Sequence, residues 1–305
     1  IGNWKISSIH YDRQDIDGYI VPYHAHSDFI QLGAELGIIG FILYLGIFVL
    51  AFYYSLIILF KSSLDNDNKW FIFFLTSSLA IYFIDANLNF PIARPQVLAP
   101  WALTISLLAY YYGKVINKDI RKKNIKIFSF FPLLSILVMT PSINITNTTY
   151  KSLKGQLFLL RDFNTSKYTI PINKIENITP DLPNITVTTI PMKTIKARYF
   201  INANKLDKAL KLLNEGIPAN PYLFISENLK AQVFLKQGKI DSAYFNARKS
   251  FYGLPKNALH ASTYAQVLQA NRDVKEAKKV FEVISKKSGP TIWKNFLIVL
   301  SQLVP

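Results

Sequence analysis

The sequence predicts an all-α membrane protein: a polytopic helical domain with four spans, followed by an α-solenoid of helical repeats. Three observations predict it. Four long apolar runs fall within residues 1–143, the charge changes character at Asn144, and the tail repeats itself every 34 residues. Residues 144–305 carry 24 Lys+Arg against 10 Asp+Glu, a net of +14, whereas residues 1–143 hold 11 against 9. Charged residues make up 18% of the whole chain, below the roughly one quarter usual for soluble domains. The front half therefore reads as membrane and the back half as a basic water-exposed domain.

The chain has no cysteine, which excludes a disulfide framework and thiolate metal or redox chemistry. It begins Ile1-Gly2-Asn3-Trp4, without an initiator Met or the basic n-region of a signal peptide, and is expected to continue a longer protein. Residues 1–32 are polar and precede the first span.

The first apolar run, about 34–60, includes Ile38 to Phe60 without a charge, and these 23 residues reach about 34 Å as a helix, enough for a bilayer core. The runs at about 70–87, 97–113 and 127–143 are shorter and need tilt or snorkelling flanks to complete them. Trp70, Tyr82 and Phe90 suit interfacial belts. Lys114, Lys118, Arg121, Lys122, Lys123 and Lys126 make the third connection the most basic one, which puts it in the cytoplasm by the positive-inside rule. Alternation then places residues 1–32, 86–96 and 144–305 outside and 61–69 inside. The basic tail is compatible, because long domains translocate largely regardless of charge.

Residues 144–190 are rich in Pro, Thr and Asn and read as a linker with short irregular structure. From 191 onward the repeat is explicit. Ala197, Ala231 and Ala265 are spaced by 34, as are Ala209, Ala243 and Ala277, and Pro221 and Pro255; Pro290 comes one residue late. This is the tetratricopeptide period, with small residues where paired helices cross and three units to cover one another's apolar faces. Such a module binds peptides or partner proteins and assigns no chemistry by itself.

The chemistry has two candidate locations. Tyr23-His24-Ala25-His26-Ser27-Asp28-Phe29-Ile30-Gln31, followed by Glu35-Leu36-Gly37-Ile38-Ile39-Gly40, sets ionisable groups at a membrane boundary, where they are costly. Ser27 and Asp28 also suit a helix N-cap. A histidine here can act as a general base or be a solvated loop residue, and the His24-x-His26 pair lacks a third metal ligand at a recognisable spacing. Arg94, between Pro91 and Pro95, can hold a phosphate bidentately or snorkel to headgroups.

The run His26-Ser27-Asp28-Phe29-Ile30-Gln31 with Glu35-x-Gly37-x-x-Gly40 resembles the signature of the O-antigen ligase/polymerase family. Gly2-Asn3-Trp4-Lys5 is similar to the start of that family's large periplasmic loop, and Phe90-Pro91-x-x-Arg94-Pro95 to the link after its next helix. Several members carry C-terminal tetratricopeptide repeats. The resemblance covers about residues 1–112, and Ser27 stands where many members have Asn. It implies a multi-pass bacterial inner-membrane glycosyltransferase with a periplasmic C-terminal domain. Such an enzyme moves a glycan from undecaprenyl diphosphate to an acceptor, with no metal or other cofactor.

Carried over by position, the resemblance makes His26 the acceptor-activating base, with His24 and Asp28 as supporting polar groups. Gln31, Glu35, Gly37 and Gly40 are the structural part of the motif, and Glu35 ties the loop to the helix. Arg94 is assigned to the diphosphate on its chemistry alone. Lipid A-core is the leading acceptor; a glycan or a protein acceptor would make the enzyme a polymerase or a protein O-oligosaccharyltransferase. A reading of another class is a non-catalytic membrane scaffold whose repeats recruit partner proteins. Nucleic acid is not expected, since no recognition motif accompanies the basic tail; anionic membrane lipids are.

Overall fold

The structure is a computed structural model that describes residues 2–61, 64–116, 125–287, 296–298 and 301–302. Every regular element among them is helical, with one isolated β-bridge between Ile185 and Pro191. The elements are α1 (Trp4–Asp12), α2 (Asp28–Lys61), α3 (Asn66–Leu88), α4 (Pro95–Ile116), α5 (Ile125–Thr165), α6 (Met192–Asn202), α7 (Leu206–Gly216), α8 (Ile225–Lys236), α9 (Ile240–Gly253), α10 (Ala258–Asn271) and α11 (Val274–Lys287). Short 3-10 turns occupy Pro91–Ala93 and Ile217–Ala219. The basic residues Lys118, Arg121, Lys122 and Lys123, and Pro290, lie outside the described residues.

The chain divides into two compact units. The first comprises Ile1–Lys5 and Pro22–Val138, the second Ile6–Val21 and Met139–Pro305. The leading segment 1–32 thus does not stay in one piece with the first apolar helices. Residues 6–21 join the second unit because Ile9, Ile16 and Val21 are buried in its core.

In the first unit α2, α3 and α4 pack on one another. Two of them, α2 and α3, are long and apolar enough to cross a membrane. Their shared core is aromatic: Phe29, Tyr44 and Phe48 are buried, and Tyr82 stacks on Trp101 with ring centroids 5.0 Å apart. Away from that core α2 exposes Ile38, Ile39, Ile42, Leu43, Val49 and Leu50, an apolar surface suited to lipid rather than water. The helices overrun the expected runs at their ends, and for α2 the early start follows from capping. Ser27 Oγ accepts from the Ile30 amide at 3.4 Å and starts α2 at Asp28, six residues before the apolar run.

The expected linker at 144–190 is helical for nearly its first half, since α5 continues to Thr165. The polar side chains that suggest a linker turn back on the helix instead: Asn144 Nδ2 donates to the Thr140 carbonyl and Thr146 Oγ1 to that of Ser142. Irregular backbone begins at residue 166. Asp162 captures it, accepting from the amide of Thr169 at 2.7 Å and from the Tyr199 hydroxyl at 2.7 Å.

In the second unit α6 pairs with α7, α8 with α9, and α10 with α11. Helices α7, α9 and α11 begin at Leu206, Ile240 and Val274, 34 residues apart. The repeating alanines are buried at both positions of each pair, so a larger side chain at any of them would separate the helices.

Candidate functional site

Three of the candidate groups meet on one aromatic ring. His24 lies flat on Phe90, with centroids 4.0 Å apart and planes 12° from parallel. His26 meets the same ring edge-on at 5.5 Å, and the Arg94 guanidinium carbon sits 4.5 Å from its centroid. A guanidinium over the ring fits the negative face of the aromatic quadrupole. The result is two imidazoles and one fixed cation within the span of a single side chain.

The backbone that presents these groups is held from α2. Gln31 Oε1 accepts from the Ala25 amide at 3.3 Å and pairs with His24 Nδ1 at 3.3 Å. An amide oxygen only accepts, so Nδ1 carries the proton and Nε2 of a neutral His24 keeps its lone pair. His26 takes φ +53°, a left-handed conformation just before the helix begins, and its side chain is exposed. Gln31 Nε2 reaches Glu35 Oε1 at 3.5 Å. Glu35 in turn accepts from the amides of Gly2 and Trp4, the latter at 3.0 Å, and binds the start of the chain to α2.

Asp28 makes no hydrogen bond to either histidine among the described residues. It is buried inside the first unit, where Oδ2 accepts from the Ile92 amide at 3.0 Å and from the Tyr44 hydroxyl at 3.3 Å. Its role in the geometry is to fasten the Pro91–Ala93 turn, which ends at Arg94, to the beginning of α2. Oδ1 of Asp28 is buried without a partner among the described residues.

The two motif glycines have separate physical causes. Gly37 adopts φ +71°, ψ −172°, breaking the helical path of α2, and a side chain is strained there whatever the space. A Cβ on Gly40 would lie 2.3 Å from Leu36 Cβ, because the break at Gly37 folds the preceding turn onto it.

Sequence reasoning named the histidines, Gln31, Glu35 and Arg94 but not Phe90, the ring that His24, His26 and Arg94 share, although it begins the Phe90-Pro91-x-x-Arg94-Pro95 string. It also missed Tyr44, 16 residues into a helix that reads as uniformly apolar. Comparison with protein-family models, curated proteins and solved structures finds no match to this chain.

Proposed function

We propose that this chain is an O-antigen ligase-like glycosyltransferase of the bacterial inner membrane. It transfers a glycan from undecaprenyl diphosphate to lipid A-core at the periplasmic face. The observation that carries the reading is the convergence of His24, His26 and Arg94 on Phe90. Transfer of this kind needs a base at the acceptor and a positive charge at the leaving group, and both kinds of group border the Phe90 ring.

In the proposed step His26 removes the proton from an acceptor hydroxyl as that oxygen bonds to the anomeric carbon. The bond from that carbon to the diphosphate breaks, and the leaving diphosphate carries away the electron pair. Arg94 stabilises the developing charge through its guanidinium. His24, held by Gln31, orients the segment and keeps a lone pair facing away from that hydrogen bond.

Four spans, formed by α2, α3, α4 and the front of α5, are part of this proposal. So are the periplasmic placement of the tail and its identity as a tetratricopeptide solenoid that holds a protein partner. The lipid-suited exposure of α2 and the 34-residue spacing of buried alanines support them. The test is complementation of an O-antigen ligase-deficient strain with the full-length gene and its His26→Ala variant, read as lipopolysaccharide ladders. A ladder with wild type and none with His26→Ala, at equal membrane level, is the expected result. Equal ladders from both would remove His26 from the chemistry.

A further inference from the structure

Helix α8 carries amides where a buried helix face should be apolar. Asn228 and Gln232 are one turn apart and share a face with Ile225 and Leu229. Asn228 is 2% exposed, yet its Oδ1 has no hydrogen-bond partner among the described residues, a costly arrangement for a side chain that only packs. Gln232 is fixed through its other end: Nε2 donates to Thr263 Oγ1 at 3.0 Å, which leaves Oε1 as an acceptor. Both line a cavity of about 490 Å³ inside the second unit, within the size range of small-ligand sites. Arg198 borders it from α6, held by a 3.2 Å bond from Nη1 to the Phe163 carbonyl, with its guanidinium carbon 4.4 Å from the Phe163 ring centroid. Its other N–H groups remain as donors. A second cavity of about 300 Å³ shares Gln232 and Leu259 with the first and brings in Gln266 of α10. Arg198, Gln232 and Gln266 stand 34 residues apart, so successive repeats present a polar group at the same position.

We propose that this face of the second unit is a saccharide-binding site, in which Asn228 and Gln232 accept from sugar hydroxyls and Arg198 donates to them. The inference goes beyond the transferase reading and does not depend on it, because every residue it uses lies in the second unit. A hydroxyl both donates and accepts, so one sugar can satisfy an amide oxygen and a guanidinium together. Leu229, Leu259 and the Tyr168 ring supply apolar surface beside them for the C–H side of a sugar ring. The common ways of holding a peptide fit this face less well. Strand addition needs a free sheet edge, and the described residues contain one isolated β-bridge. A docked helix needs a continuous apolar groove, whereas amides interrupt this one at each turn of α8. Capture of an acidic motif needs a cluster of cations, and Arg198 is the only charged side chain bordering the larger cavity among the described residues.

Binding is read by titration calorimetry on the full chain in lipid nanodiscs, free of sugar-headed detergent. The probe is the short oligosaccharide released by mild acid from the surface glycan of the cell that makes this protein, with hexaglutamate as the peptide comparison. Wild type should bind the oligosaccharide and not the peptide. Asn228→Leu keeps the volume and removes the amide. It should weaken binding about tenfold, and its melting midpoint should stay equal or rise, because Oδ1 gives up no internal hydrogen bond. A purely structural asparagine would instead lower the midpoint and leave the affinity of the folded chain unchanged, which overturns the site. Leu259→Trp, at an exposed lining position, should fill the mouth of the cavity and abolish binding with the midpoint unchanged. Oligosaccharide binding that survives both substitutions, or its absence in wild type, overturns the site. Binding of hexaglutamate alone makes this a peptide face and overturns it as well.

Discussion

Asp28 and Ile92 are 64 positions apart and joined by a 3.0 Å hydrogen bond from the Ile92 amide to Oδ2. This bond ties the turn before Arg94 to the residue two after His26. Replacing Asp28 by Asn keeps the size but exchanges a charged acceptor for a neutral one. Hydrogen bonds to charged groups contribute about 1.5–3 kcal/mol, and roughly half of that should be lost. Transfer should fall with the melting temperature in Asp28→Asn; unchanged melting with lost transfer would mean that Asp28 acts on substrate directly.

Phe90 is the surface on which His24, His26 and Arg94 converge, and its ring rather than its bulk matters. Phe90→Leu should reduce transfer by up to about tenfold, in line with about 0.5–1.5 kcal/mol for such ring contacts, while Phe90→Tyr should stay close to wild type. Measured membrane levels must be equal in all three. Equal activity of Phe90→Leu would show that the histidines are held by Gln31 alone.

Arg94 offers a separable test, since a point charge and a planar fork differ only where the contact is bidentate. Arg94→Lys should raise the donor KM severalfold and Arg94→Gln considerably more, with acceptor KM little changed. A rise confined to acceptor KM would assign the guanidinium to the acceptor.

Gly37 and Gly40 test the break in α2. Gly37→Ala forces a Cβ into φ +71°, ψ −172°, a region open essentially to glycine alone, and should cost about 1–3 kcal/mol. Gly40→Ala places its Cβ against Leu36 Cβ, a rigid near neighbour, and should cost about 1–3 kcal/mol. Thermal melting of the full chain in detergent checks both. Wild-type melting in Gly37→Ala would mean that the break is not maintained in solution.

The apolar helices and the repeat were legible because their signals are local: runs of uncharged residues, and alanines recurring at a fixed distance. The histidine segment was legible as chemistry but not as geometry, since Gln31 and Phe90 reveal their roles only once α2 and the Pro91–Ala93 turn are brought together. Residues 6–21 gave no sign of their destination. Ile9 and Ile16 are seven apart as on one helix face, but α1 ends between them at Asp12 and Val21 falls out of that spacing, and their burial depends on partners such as Leu213 and Leu254, about 200 positions away. The polar front of the presumed linker misled for a different reason. Asn and Thr signal a loop when their side chains compete for the backbone, yet at Asn144 and Thr146 they bond within the helix and leave it intact.

Acid should loosen the second unit before its carboxylates are generally protonated. Burial pushes His260 down to about 3, against the opposing hydrogen bond to the Ser250 carbonyl. An unfolded histidine takes up its proton near pH 6.5, so between about 6.5 and 3 the unfolded chain binds a proton that the folded chain refuses. Stability is therefore full above that window and falls with decreasing pH, by about 1.4 kcal/mol per pH unit. Asp162 adds to the loss at the acid end. Burial raises its pKa, but hydrogen bonds from Tyr199, Thr169 and Arg161 outweigh it and hold the carboxyl below the usual range, so its contribution disappears as the pH falls through the folded value. Melting followed by circular dichroism from pH 7 to pH 4 should show a steadily falling midpoint. In His260→Gln, where no proton can be taken up, the slope between pH 6.5 and 4 should flatten even though the midpoint at pH 7 is lower. An identical slope in the variant would place the titrating group elsewhere.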